Sequence, residues 1–325
     1  MDLDVVFLGT AGSMPTARRG PSATLIRRGG ERLLVDCGEG TQRQLLRSDV
    51  GLVDLQEIFL THFHADHVLG LPGMLKTFAL RGRELPLTVY GPRGLGDLWQ
   101  SLGRLVGRLS FEVGVVELGP DTLLPRDGYD FRTFPARHGR DAIGYALAEH
   151  ARPGRFDVEA ANALGVPFGR ERGTLQDGAA VILADGRTVT PDEVLGEPRP
   201  GRKLVLTGDT APSDLVVEAA FGADVLVHEA TFCEDEADRA RETEHSTALE
   251  AARVAQDANV RLLALTHSSS RYGGGDVERE ARTIFPGTVV PRDFDLIDVP
   301  FAERGSPELV KRGARLPRAE VPSGP

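Results

Sequence analysis

The segment Thr61-His62-Phe63-His64-Ala65-Asp66-His67 places three imidazoles and a carboxylate within six positions, in a chain that has only eight histidines. His62, His64 and Asp66 alternate, so an extended backbone would point them to one side. His67 breaks the alternation and requires a turn into a following helix. Zn²⁺ prefers imidazole and accepts a carboxylate as an added hard ligand. Four such ligands are too many for one ion that keeps an open position. The spacing therefore points to two ions, with His62 and His64 on one and Asp66 and His67 on the other. A polar loop with incidental histidines would not concentrate them in this way.

Three more residues share a pattern, each isolated at the end of a strand-like run. His138 follows 131–134, Asp209 follows 204–207, and His267 follows 262–265. Singly, a histidine at a strand end is more often an ordinary hydrogen-bonded loop residue. Together they supply what the first segment lacks. His138 would complete the first ion, His267 the second, and Asp209 would bridge them.

The elements that must position these side chains read as strands at 4–8, 23–26, 32–35, 57–60, 87–90, 111–118, 129–134, 204–207, 225–227 and 262–265, punctuated by glycine-rich turns. Helices are expected from 69 onward, over 94–108, 213–221 and 246–256, with Pro72 tolerable only in a first turn. Strands first and βα alternation later predict an α/β fold, two mixed sheets sandwiched between helices. One domain over 1–300 is expected. Residues 150–178 are poor in apolar side chains and rich in glycine and proline, which reads as an extended excursion rather than core. The tail over 301–325 mixes proline, glycine and charge and is expected to be poorly ordered.

Composition narrows the function classes. The 325 residues carry a formal net charge of −10, which excludes a uniformly basic nucleic-acid coat and requires any polyanion to meet a local patch. Arg18, Arg19, Arg27, Arg28 and Arg32 form one basic segment, and Arg152, Arg155, Arg170 and Arg172 lie in the excursion. Against them stands an acidic run, Glu234, Asp235, Glu236, Asp238, Glu242 and Glu244. Lysine is confined to Lys76, Lys203 and Lys311, a bias that fits coding composition better than phosphate recognition. Two cysteines, Cys37 and Cys233, exclude a disulfide scaffold and a cysteine-rich zinc ribbon. No apolar run approaches the roughly 20 residues that span a bilayer. The acidic N-terminus does not read as a signal peptide, so a cytoplasmic location is expected.

The series His62-x-His64-x-Asp66-His67, His138, Asp209 and His267 resembles the binuclear metal site of the metallo-β-lactamase superfamily. His228-Glu229-Ala230-Thr231 and His245-Ser246-Thr247 resemble the HEAT and HST motifs of the tRNase Z family, short form, which trims the 3′ ends of precursor tRNAs. Phe7-Leu8-Gly9-Thr10-Ala11-Gly12-Ser13, Asp36-Cys37-Gly38-Glu39-Gly40 and the segment from Thr266-His267 to Tyr272 are similar to that family too, and the likeness runs from about 3 to 298. HST alone would be an ordinary helix N-cap.

The resemblance implies a metallo-β-lactamase αββα fold and an endoribonuclease that cuts by two-metal phosphodiester hydrolysis. It implies two Zn²⁺ per chain, with Mn²⁺ an alternative. Asp66, His245 and Glu229 would be catalytic: Asp66 orienting the attacking water, and His245, oriented by Glu229, protonating the leaving 3′ oxygen. The excursion would be a tRNA-binding arm, with Gly165-Val166-Pro167-x-Gly169 similar to that arm's core, although Arg170 stands where proline is expected. Arg18, Arg19, Arg152, Arg155, Arg170 and Arg172 would contact RNA, in a cytoplasmic homodimer acting on precursor tRNA without a membrane. Two other readings stay open: another hydrolase of this fold, such as a small-molecule phosphodiesterase or glyoxalase-type thioesterase, and a non-catalytic tRNA-binding module.

Overall fold

The computed structural model describes residues 1–52 and 55–312. Its strands follow the chain as β1 (Leu3–Gly9), β2 (Ala23–Arg28), β3 (Glu31–Val35), β4 (Glu57–Phe59), β5 (Leu87–Pro92) and β6 (Val113–Leu118), then β7 (Leu123–Arg126), β8 (Tyr129–Pro135) and β9 (Ile143–Glu149). Two short strands follow, β10 (Val181–Ile182) and β11 (Thr188–Val189), then β12 (Lys203–Leu206), β13 (Val225–Glu229), β14 (Leu262–Thr266), β15 (Thr288–Val289), β16 (Leu296–Asp298) and β17 (Glu308–Val310). The helices are α1 (Thr41–Arg47), α2 (Ala65–Val68), α3 (Gly70–Leu80), α4 (Leu95–Val106), α5 (Val158–Ala163), α6 (Arg170–Gln176), α7 (Asp214–Ala220), α8 (Ala237–Glu242), α9 (Ala248–Asp257) and α10 (Gly274–Ala281).

One sheet runs β17-β16-β1-β2-β3-β4-β5-β6 and the other β15-β14-β13-β12-β9-β8-β7. Alternation along the strands sorts their side chains into layers. Leu3, Val5 and Phe7 of β1 point into the space between the sheets, while Val6 and Leu8 point to the helices outside. On β13, Val225 and Val227 face the other sheet and Leu226 faces the outer helices. Between the sheets, the Phe59 ring stacks on Tyr90 at 4.6 Å and meets Phe131 at 4.6 Å, and Phe131 stacks on Tyr145 at 5.4 Å. The expected αββα sandwich is the architecture found. Each sheet is antiparallel on one side and parallel on the other, with β3 to β6 and β12 to β15 parallel. The carboxyl ends of the parallel strands share one edge of the sandwich, the usual place for a site in open α/β sheets.

Several elements differ from the sequence reading. Strands β7 and β9 and helix α1 were not expected. β9 is rich in alanine and leucine, yet it lies between β8 and β12 and pairs with both. α1 has seven residues and no side-chain cap, so it carries little local signal. The excursion is neither extended nor confined to 150–178. It holds α5, α6 and the β10–β11 hairpin around its own core of Ala161, Val166, Leu175, Val181, Leu183, Val189 and Val194. Its neck closes where Arg152 pairs with Arg199 and Phe156 with Leu195. A Cβ at Gly154 would lie 1.8 Å from the Gly196 carbonyl oxygen, so only glycine permits that approach.

The first part of the tail is also ordered. β17 pairs with β16, and the Phe301 ring carries Arg152 at 3.4 Å and Arg202 at 4.0 Å. Residues 313–325 lie outside the described residues. Among those described, no helix is long and apolar enough to cross a membrane.

The turn after β3 is clamped to the start of α3. A Cβ on Gly70 would stand 2.0 Å from the Gly38 carbonyl oxygen. Gly70→Ala is therefore expected to destabilise the protein by about 1–3 kcal/mol, the usual cost of forced overpacking. Urea denaturation checks this, and an unchanged midpoint would contradict the clamp.

Candidate metal centre

Every member of the expected ligand set sits at that shared edge. His62 follows β4, His138 follows β8, Asp209 follows β12 and His267 follows β14. His64, with an extended backbone, is the N-cap of α2, and Asp66 and His67 lie within it. The helix thus begins before Asp66, and the expected alternation ends at His64. A helical turn, rather than a strand, brings Asp66 and His67 to the same side.

The side chains converge in the two expected groups. His62, His64, His138 and Asp209 have ligand atoms mutually within 4.8 Å, as do Asp66, His67 and His267. Asp209 Oδ2 stands between them, 3.7 Å from His62 Nε2, 3.9 Å from His138 Nε2, 3.3 Å from His67 Nε2 and 3.4 Å from His267 Nε2. A third grouping joins His245 to Asp209 and His267. His245 Nδ1 is 4.0 Å from Asp209 but 2.7 Å from Glu229 Oε1, so that nitrogen is already engaged.

The surrounding hydrogen bonds fix which nitrogen of each ring faces inward; the hydrogens are assigned from this network. His67 Nδ1–H donates to Asp36 Oδ2 at 2.7 Å and His138 Nδ1–H to the Glu244 carbonyl at 2.9 Å. Thr61 gives its one hydroxyl proton to Asp36, at 3.0 Å, and so accepts from His62 Nδ1–H at 3.0 Å. Thr231 gives its proton to Glu229 Oε2 at 2.7 Å and accepts from His267 Nδ1–H at 2.9 Å. Four rings therefore turn an Nε2 lone pair inward. His64 turns Nδ1 inward, 3.1 Å from His138 Nε2.

Lone pairs facing carboxylate oxygens at these distances repel. His62 Nε2 and Asp209 Oδ1 are buried without any hydrogen-bond partner. Such atoms are costly unless a cation meets them. The donor set of imidazoles and carboxylates fits two divalent ions. A proton is the competitor: burial opposes charge on His67, but Asp209 and Asp36 overcome it and raise the ring well above its ordinary value.

Two positions at the cage are strained, one a candidate ligand and the other the partner of one. Asp36 has φ 61° and His267 φ 57°, a region most residues avoid. A Cβ on Gly12 would stand 2.5 Å from the His267 carbonyl, so the loop after β1 buttresses that residue. The backbone N–H of Ser13, in the same loop, donates to Asp66 Oδ2 at 2.8 Å.

The HEAT and HST segments stand beside the cage. Glu229, fully buried, also accepts from the N–H groups of Thr210 at 3.1 Å and Thr231 at 2.9 Å. Burial pushes its carboxyl up, but His245 draws it below the ordinary range. Burial likewise opposes charge on His245, and Glu229 outweighs it, raising the ring to about 9. Ser246 Oγ–H donates to the Thr210 carbonyl at 2.6 Å, and Thr247 caps α9 in a capping box with Glu250. His228 is buried and donates Nδ1–H to the Glu229 carbonyl at 2.7 Å. Sequence reasoning assigned no role to Asp36, Thr61 or Thr231, though each falls in or beside a motif it singled out.

The arginines divide differently from expectation. Arg27 forms a two-point pair with Asp4, at 2.7 and 2.8 Å, and Arg28 is buried against Glu149 at 3.0 Å. Arg32 donates to the Val50 carbonyl at 3.2 Å. Arg152 pairs with Glu303 at 2.9 Å and ties the neck to the tail, while Arg172 donates to Asn162 and the Val166 carbonyl and holds the excursion together. Arg18, Arg155 and Arg170 are exposed and Arg19 is partly so. His150, outside every motif, is exposed at the surface, 3.5 Å from Asp130.

The sequence matches the family model of the metallo-β-lactamase superfamily over residues 16–267. It is 48% identical over 308 residues to the ribonuclease Z of Natronomonas pharaonis, covering 93% of this chain and all of that protein. It is 49% identical over 271 residues to the ribonuclease Z of Myxococcus xanthus, covering 83% of this chain and 88% of that protein. Among solved structures it resembles human tRNase Z, short form, with TM-score 0.65 and 28% identity over 91% of this chain and 99% of that one.

If Asp36 sets the tautomer of His67, Asp36→Asn should weaken divalent metal binding about 10- to 100-fold. Chelator competition measures this. Wild-type affinity in the variant would contradict the assignment.

Proposed function

The chain belongs to the metallo-β-lactamase superfamily and, within it, to the ribonuclease Z family, and from that premise we propose that it removes the 3′ trailer of precursor tRNA. The observation that carries this reading is the His245–Glu229 pair, buried at 2.7 Å beside a cage for divalent metal. A hydrolase of this fold acting on thioesters or small phosphodiesters has no evident need for that pair or for the excursion.

His62, His64, His138 and Asp209 would hold one ion, and Asp66, His67, His267 and Asp209 the other. Zn²⁺ suits these ligands best and Mn²⁺ is an alternative. When bound, two such ions supply Lewis acidity at the phosphoryl group and make hydroxide accessible near neutral pH. Asp66, its Oδ2 fixed by Ser13, orients the attacking water and accepts its proton. The P–O3′ bond breaks as the water oxygen bonds to phosphorus. The departing 3′ oxygen is a poor alkoxide and takes the proton that Glu229 holds on His245. The tRNA leaves with a 3′-hydroxyl and the trailer with a 5′-phosphate.

The excursion would be the tRNA arm, with Arg155 and Arg170 exposed on it and Phe168 projecting 92% exposed from the turn before α6. Arg18 and Arg19 would meet phosphates beside the cage. Family resemblance supports a cytoplasmic homodimer.

Incubation with a 3′-extended precursor tRNA should give a single cut at the trailer junction, abolished by chelator. His245→Ala should lower turnover about 10²- to 10⁴-fold while its metal content stays at the wild-type level. No cut in the presence of metal, or full turnover in the variant, would contradict the reading.

A deletion that respects the neck should replace about 157–194 by a short flexible linker, leaving the Arg152–Arg199 and Phe156–Leu195 pairings in place. It should abolish precursor cleavage and spare hydrolysis of bis(p-nitrophenyl) phosphate. Retained precursor cleavage would remove the arm from the mechanism.

A further inference from the structure

The loop from Gly12 to Pro21 has two sides. Toward the cage, Ser13 holds Asp66 and Gly12 packs on His267. On the other side, Gly20 and Pro21 form part of the wall of a groove of about 910 Å³ bounded by α1, the start of α10, residues 290–295 and the end of β17. The groove is basic in a chain of net charge −10. Arg18, Arg43, Arg292 and Lys311 line it, and no side-chain hydrogen bond or ion pair engages them among the described residues.

The acids around the groove are largely taken up. Glu278 pairs with Arg282 at 2.7 Å. Asp293 is buried and accepts from Thr10, Gly20 and Gln44. Asp295 is buried and accepts from the backbone N–H groups of Arg292 and Arg312. Glu39 is the remaining acid on the wall. Burial pushes the Arg19 guanidinium down, Asp293 draws it back up and Arg292 pushes it down again, as expected where cations crowd one buried acid. Gly274 and Gly275, at the start of α10, line the groove without side chains, and Asp276 in that first turn is engaged by the Gly273 N–H at 3.1 Å and by Arg279 at 3.1 Å.

Position selects the ligand. His245 packs against His138 at 4.6 Å and His267 at 5.5 Å and is bonded to Glu229, whereas Asp66 is bonded to the loop itself through Ser13. In the proposed reaction the tRNA 3′ oxygen departs toward His245 and water enters in line from the Asp66 side. The trailer's O5′ therefore stays on phosphorus to one side of that axis, and the Gly12–Pro21 loop with the groove behind it borders the cage where the trailer turns aside. We propose that this groove binds the backbone of the single-stranded 3′ trailer through Arg43, Arg292 and Lys311, a reading that rests on the proposed cleavage reaction. The site takes successive phosphates without selecting bases, since no aromatic platform other than the buried Phe294 lines it.

The test compares wild type with R43A/R292A/K311A, using the full chain loaded with metal. Fluorescence anisotropy with a labelled uridine dodecamer should show binding weakened at least about tenfold. The slope of log affinity against log salt should fall by about 2, at roughly 0.7 per lost phosphate contact. With precursors bearing ten-nucleotide and one-nucleotide trailers, the kcat/KM ratio of long to short should fall about tenfold. Should the triple variant not fold, the single variants R292A and K311A carry the same reading, each lowering the slope by about 0.7. Unchanged affinity and slope would overturn the proposal. So would a loss confined to duplex RNA, which would assign the groove to a stem, or a change in oligomeric size, which would make it an interface between copies. If the wild type cuts neither precursor, the cleavage reading fails while the dodecamer measurement still decides whether the groove holds RNA.

Discussion

Seven side chains from four segments turn electron pairs toward one small space, an arrangement that is costly without positive charge to meet it. The inward faces of His62, His67, His138 and His267 are set by what lies behind the rings. Asp36 and Glu229 each accept the single proton of a threonine, and the threonine oxygen then takes an imidazole N–H. The two carboxylates thereby reach beyond their direct partners. Asp36 governs His62 through Thr61 and His67 directly, and Glu229 governs His267 through Thr231 and His245 directly. In the proposed reaction the same device would serve both metal holding and the handling of a proton.

This dependence explains where the chain accepts strain. Left-handed backbone at Asp36 and His267 is costly for residues with side chains. Gly208, just before the bridging Asp209, has φ 63° and lies so close to Thr61 that a Cβ would stand 2.7 Å from its Cβ. These positions surround the cage, where the two sheets present their carboxyl ends. The packed layers behind them, including the aromatic cluster between the sheets, provide the rigidity that holds such conformations.

Much of this was legible in the sequence, for reasons that differ by residue. The ligands are dense in one segment or isolated at strand ends, and both patterns survive translation into one dimension. The partners Asp36, Thr61 and Thr231 act only through contacts, so their residue types carried no separate signal. β9 looked unremarkable because its strand character comes from the neighbours on either side. The arm's core escaped notice because its apolar residues are few and spread over more than one short element. Arg27, Arg28, Arg152 and Arg172 read as available charge, but Asp4, Glu149, Glu303 and Asn162 occupy them. Arg18, Arg155 and Arg170 stayed exposed as read, while Arg43, Arg292 and Lys311, without a side-chain partner among the described residues, come together only in the fold.

The central claim is that the cage holds a pair of divalent cations with Asp209 between them. Anomalous X-ray scattering at the zinc edge from crystals of the zinc-loaded protein tests it most directly. The account predicts two peaks about 3.5–4 Å apart, one ligated by His62, His64 and His138 and the other by Asp66, His67 and His267, with Asp209 touching both. A single peak, or a second one bound by His245 in place of His267, would contradict it.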